Sequence, residues 1–198
     1  MPLLYLTGNR FKFEVAQHAL RGTGLVLEQK RLAVPEVQSN SVQEIAEYSA
    51  QWASAQLDQP FLVTDSGFYI DALNGFPGPF VKFINQWFSV EDLLRLMHNK
   101  SYRHITVHDC LIYARPSAPL AGFRGSYHGR VATEPGHSTG TPIERLFVPD
   151  GYQTPISEFS HEERIAYWSH AAIWQQFKDF YTRELAQTES TPPATARP

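Results

Sequence analysis

The stretch "VTDSGFYIDALNGFPGPF", residues 63–80, opens as a buried strand and then sets Asp65, Ser66 and Gly67 where apolar side chains are due. The preceding "FLV" is continuously apolar, so residues 61–73 read as a strand that carries a carboxylate to a bend, with Gly67 supplying backbone freedom. A buried acid needs a partner. Mg²⁺ is one, because it takes oxygen ligands from one or two carboxylates and completes its octahedron with substrate phosphates and water. Glu36, just ahead of a long helical segment, is a candidate second carboxylate. The same residues also suit a plainer arrangement, in which Asp65 accepts hydrogen bonds from its own turn and Glu36 faces solvent.

Upstream, the apolar "PLLYL" at 2–6 ends at Thr7, Gly8 and Asn9 and reads as a buried strand entering a turn. A helix is expected over "NRFKFEVAQHALRG", with Asn9 as N-cap and Gly22 near its stop. Strand, "TGNRFK" and helix together place Thr7, Asn9 and unpaired backbone N–H groups at a helix N-terminus, with Lys12 one turn in. That arrangement favours an anion such as phosphate; it also describes a capped helix with a surface lysine. "GLVLEQKRLAV" reads as a second strand. "SNSVQEIAEYSAQWASAQL" reads as a helix capped by Asn40 or Ser41.

Downstream, "SVEDLLRLMHNK" is a short amphipathic helix capped by Ser89, and "HITVHDCLIYAR" and "AGFRGSYHGRVAT" are two long antiparallel strands. "SHEERIAYWSHAAIWQQFKDFYTREL" is helical with a break near Ser169. Residues 186–198 are polar and proline-containing and are expected to be a disordered tail, leaving residues 1–185 as one domain. Helices and strands alternating early, with long paired strands following, indicate an α/β protein built on a mixed sheet.

The bulk properties exclude several classes. A net charge of -3 over 198 residues provides no basic field for a nucleic-acid polymer. Cys110 is the sole cysteine, so no intrachain disulfide forms and a reducing, cytoplasmic setting is expected. No apolar run is long enough for a membrane span. There is no Cys/His spacing for zinc and no Gly-x-Ser-x-Gly elbow. His161, Arg164, Ser169 and His170 cluster near the C-terminus, where a histidine on an aromatic-rich helix also suits hydrogen-bonded packing.

Five pieces, in order, carry a resemblance: "TGNRFK" at 7–12, "PEVQSNSVQEIAEYSAQWA" at 35–53, "TDSGFYIDALNGFPGPF" at 64–80, "LFVPDGYQTPISE" at 146–158, and "SH" at 169–170. Together they resemble the inosine/xanthosine triphosphate pyrophosphatase family, across residues 3 to about 180. The resemblance implies a two-lobed α/β fold, a mixed sheet with flanking helices and a central substrate groove, usually assembled as a homodimer. It implies Mg²⁺-dependent hydrolysis of the α–β phosphoanhydride of deaminated purine nucleoside triphosphates, with Mn²⁺ as an alternative ion. Carried over by position, Thr7, Asn9 and Lys12 hold the phosphate chain. Glu36 and Asp65 bind the metal or orient the attacking water, Ser66 and Gly67 shape the loop beneath them, Ser169 and His170 lie where the base is read, and Arg164 is a substrate-binding cation.

The chain also departs from the family pattern. Ser49 stands where a phosphate-binding lysine is usual, Thr64 replaces the first of two paired acids, and Ile143 and Glu144 replace an aromatic and an aspartate that contact the purine. Arg164 replaces a lysine, and Ala171 replaces the arginine of the final Ser-His-Arg. These departures imply altered base specificity. The alternatives are standard ITP, dITP and XTP hydrolysis, or nucleotide binding with impaired turnover.

Overall fold

The computed structural model describes residues 2–189. Among these, seven strands form one mixed sheet: β1 (Leu3–Leu6), β2 (Leu27–Lys30), β3 (Phe61–Ile70), β4 (Pro77–Gly78), β5 (His104–Ala114), β6 (Ala121–Val131) and β7 (Phe147–Pro149), in the order β2-β1-β3-β5-β6-β7 with β4 on β3. β1 lies parallel to β2 and β3, whereas β3, β5, β6 and β7 pair antiparallel. The helices are α1 (Arg10–Ala19), α2 (Val42–Ser54), α3 (Val81–Trp87), α4 (Val90–Leu96), α5 (His161–Ser169) and α6 (Ala172–Glu189). No helix among the described residues is long and apolar enough to cross a membrane.

The expected caps explain where most helices start. The side chains of Asn9, Ser41 and Ser89 each accept a bond from an amide in the first turn, as does Ser160, a cap not singled out in the sequence, and Ser89 and Ser160 complete reciprocal capping boxes with Asp92 and Glu163. α3 has no such cap: Phe80 occupies the position and offers no side-chain bond, so no signal in the sequence announced it. The second strand is shorter than expected and ends at Lys30. α6 continues to Glu189 rather than stopping at Leu185, so residues 186–189 are helical; the rest of the expected tail, 190–198, lies outside the described residues.

One correction bears on the site. The chain does not bend at Asp65: β3 is a continuous ten-residue strand whose Asp65 pairs with Cys110 and whose Ser66 pairs with Asp109. What is special there is the other edge. β1 covers β3 only at Phe61 and Leu62, and β4 covers it only at Phe68 and Tyr69. Residues 63–67 therefore have a strand partner on one side alone, and the backbone beside Asp65 opens into the space at the end of β1. Gly67 is required for a different reason from the expected one: a Cβ there would sit 2.8 Å from Tyr69 Cε2 and 2.9 Å from the Gly78 carbonyl oxygen.

Alternation along β3 and β5 sorts the side chains onto two faces. On one face, Leu62, Leu111 and Tyr113 join a cluster closed by α1 and α6. On the same face, Ile70, Ile105 and Val107 join another closed by α3, α4 and β7. Thr64, Ser66 and Asp109 form the polar strip between these two cores. On the opposite face, Val63, Cys110 and Ile112 pack beneath Ala46, Ala50 and Ala53 of α2.

Candidate active site

The end of β1, the segment past β2, α2 and the open edge of β3 surround a cavity of about 680 Å³ lined by Thr7, Gly8, Arg31, Ser49, Thr64 and Asp65; Asn9 and Lys12 stand beside it and do not line it. Asn9 Oδ1 accepts the Lys12 amide at 3.3 Å, and Thr7 Oγ1 accepts the Asn9 amide at 3.1 Å, so both polar side chains hold the turn that aims the first helical N–H groups outward. The first turn of α1 carries no acidic residue, and the helix dipole there stays free for an outside anion. Sequence reasoning missed Arg31, just past β2; it adds a cation at the cavity, near Gly8.

Asp65 Oδ1 accepts the Ser66 amide at 3.0 Å. Burial pushes the Asp65 carboxyl above its ordinary value, against the pull of the Lys12 ammonium and the Ser66 amide. Asp109 is a second buried acid, 8% exposed, which sequence reasoning also passed over. Burial raises it to about 6, the neighbouring Asp65 charge adds to the rise, and the Ser66 hydrogen bond and Lys12 lower it. Lys12 thus acts on both acids. Beside them the Tyr5 hydroxyl bonds to Thr64, and its burial raises the phenol.

Glu36 stands elsewhere. It is exposed, bound to Lys82 Nζ, and neither lines the cavity nor figures among the groups acting on Asp65. Ser169 is buried: its hydroxyl donates to the Ala166 carbonyl at 2.8 Å and so receives the proton of His18 Nδ1 at 2.9 Å, an α1–α5 packing bond. His170 caps α5 through Ala166 and faces a different, aromatic-lined cavity with Tyr127, Tyr152 and Tyr167. Arg164 lies over the Phe11 ring, 5.7 Å from its centroid, with Nη1 3.5 Å from Glu144 Oε1 and its buried Nε unpartnered. Ile143 and Ala171 are core residues at 3% and 2% exposure, so neither presents a surface to a ligand.

Among the described residues no three His, Cys, Asp or Glu side chains gather to hold a metal unaided. The cavity instead offers a carboxylate with one oxygen free of the Ser66 amide, beside the hydroxyl-bearing Thr7, Ser49 and Thr64. Such a hard-oxygen donor set fits Mg²⁺ or Mn²⁺ arriving with phosphate and water as its remaining ligands.

Comparison with known proteins agrees with this architecture. The model of the Ham1 family matches residues 3–180. The dITP/XTP pyrophosphatase of Methanopyrus kandleri is 32% identical over 186 residues, covering 94% of this chain and 99% of that protein. The dITP/XTP pyrophosphatase of Methanothermobacter marburgensis is 30% identical, covering 92% and 97%. Among solved structures, a HAM1 protein from Coxiella burnetii superposes with a TM-score of 0.76 at 21% identity, covering 92% of this chain and 99% of that one. The Staphylococcus aureus Ham1 protein gives 0.75 at 17%, covering 93% and 100%.

Proposed function

The chain belongs to the Ham1 family, and from that premise we propose that it is a divalent-metal-dependent nucleoside triphosphate pyrophosphatase acting on deaminated purine nucleotides of the dITP and XTP type. The observation that carries the proposal is the meeting of Thr7, Gly8, Arg31 and Asp65 in one cavity at the uncovered edge of β3, with the Lys12 charge acting on Asp65.

In this reading the phosphate chain lies along Thr7, Gly8 and the first turn of α1. Lys12 and Arg31 offset the charge that grows on the departing pyrophosphate. A divalent metal, when bound, polarises phosphoryl oxygens and gives the Asp65 carboxylate a hard cation to face. Water attacks the α-phosphorus, the bond from that phosphorus to the bridging oxygen breaks, and pyrophosphate leaves with the electron pair. The water proton passes to Asp65, whose burial raises its basicity. Glu36 would join this centre only by leaving Lys82. Ser66 and Gly67 serve by keeping β3 straight and closely packed beneath the site. Homodimeric assembly is part of the same proposal, and sedimentation tests it.

A second reading, preference for another base, is favoured by one observation: Ile143 and Ala171 are packed into the core. Arg164 and Glu144 then remain to meet the base. The reaction is tested by hydrolysing dITP in ¹⁸O-water. Label in the monophosphate, with unlabelled pyrophosphate, is expected; release of orthophosphate, or label in the pyrophosphate, would defeat the proposal.

A further inference from the structure

Asp109 interrupts the inward-facing series Ile105, Val107, Leu111 and Tyr113 of β5. A carboxylate in an apolar series costs free energy unless something recovers it. Its surroundings are specific. It stands opposite Ser66 in the β3–β5 register, on the face to which the Ser66 side chain points, and the Ser66 hydroxyl acts to lower its carboxyl, while the amide of that same residue holds Asp65 Oδ1. The Lys12 charge acts on Asp65 and on Asp109 alike. Asp65 and Asp109 approach Ser66 from opposite faces of the sheet, so Asp109 reaches the site through Ser66 and Lys12 rather than by touching the substrate.

We propose that Asp109 is a positioning residue of the reaction centre, which anchors Ser66 from beneath the sheet and draws Lys12 inward so that the Lys12–Asp65 pair keeps its place against the phosphate chain. This rests on the phosphate site assigned above. It also explains why an acid is retained between two hydrophobic clusters at a point where Asn would satisfy Ser66 equally well. Asn keeps the acceptor for the Ser66 hydroxyl and removes only the charge that acts on Lys12.

The test compares wild type, Asp109→Asn, Asp65→Asn and the double variant in steady-state hydrolysis of dITP. Calorimetry then measures binding of the Mn²⁺ complex of a non-hydrolysable α,β-methylene purine triphosphate. Misplacing a phosphate-binding cation is expected to lower kcat of Asp109→Asn about tenfold and to weaken analogue binding about threefold, with the melting temperature unchanged or raised. The double variant should be no slower than Asp65→Asn alone, because Asp109 works through that pair. Wild-type kcat and affinity in Asp109→Asn would overturn the inference. So would a loss that tracks a fall in melting temperature, or one that adds in full to that of Asp65→Asn. If wild type itself hydrolyses nothing, the functional reading fails, and the analogue affinities of wild type and Asp109→Asn still decide the inference: weaker binding sustains it and equal binding overturns it.

Discussion

Asp109→Asn should make the protein more stable at neutral pH and only slightly so in mild acid. Burial lifts the Asp109 carboxyl from 3.8 to about 6. Below both values the group is protonated, folded or unfolded, and costs nothing. As pH rises between them the unfolded chain releases its proton first, so folding is progressively penalised. Above 6 the penalty is complete, and two units at 1.36 kcal/mol each make it about 3 kcal/mol. At pH 4.5 the same linkage leaves about 1 kcal/mol. For a chain of this length 1 kcal/mol moves the melting temperature by roughly 2–4 °C. The variant should therefore melt on the order of 5–10 °C above wild type at pH 8, and by much less at pH 4.5. Calorimetric melts at the two pH values, at fixed ionic strength, read this directly. A variant less stable than wild type at pH 8, or an increment independent of pH, would refute the placement of Asp109 as a charge held at a cost. An acid kept against its own stability is the pattern expected of a functional group.

Three further outcomes follow from particular contacts. Gly67→Ala forces a Cβ against Tyr69 and the Gly78 carbonyl, and urea denaturation should show a loss of about 1–3 kcal/mol, the usual cost of overpacking; an unchanged midpoint would mean that β4 moves freely. Ser49→Lys restores a cation facing Thr7 and Asp65 across the cavity. It should tighten binding of a non-hydrolysable triphosphate by at least tenfold at low salt, in line with roughly 1.5–3 kcal/mol for a charged hydrogen bond, and affinity that does not change would place the phosphates elsewhere. Ser160→Ala removes half of the capping box of α5 and should cost about 1 kcal/mol in a chemical melt at neutral pH.

Much of the fold was legible because its signals are local. Asn9, Ser41 and Ser89 announce helices by the bonds that their own side chains make within one turn. β5 and β6 announce themselves by period-two patterning, and the break near Ser169 separates α5 from α6 as the sequence suggests. α3 was silent because Phe80 caps nothing. The open flank of β3 was illegible for a different reason. It exists only because β1 ends beside Leu62 and β4 begins beside Phe68, a fact of register between segments distant in sequence. Asp65 was found by its oddity after an apolar run, although the bend inferred there is a straight strand. Asp109 carried the same kind of signal, an acid on the inward phase of "HITVHDCLIYAR", and a phase count along that strand would have exposed it. Glu36 looked equivalent to Asp65 in sequence, yet the chain between β2 and α2 leaves it exposed against Lys82.

The central claim, that the uncovered edge of β3 is a catalytic phosphate site built on Asp65, is tested most directly by pyrophosphate release. The assay takes dITP, XTP, dATP and dGTP with Mg²⁺, and compares wild type with Asp65→Asn. The account predicts rapid release from dITP and XTP, slow release from dATP and dGTP, and a fall of about 10²-fold or more in the variant, as for loss of a general base. Release that survives Asp65→Asn unchanged, or none from any of the four nucleotides by folded protein, would contradict it.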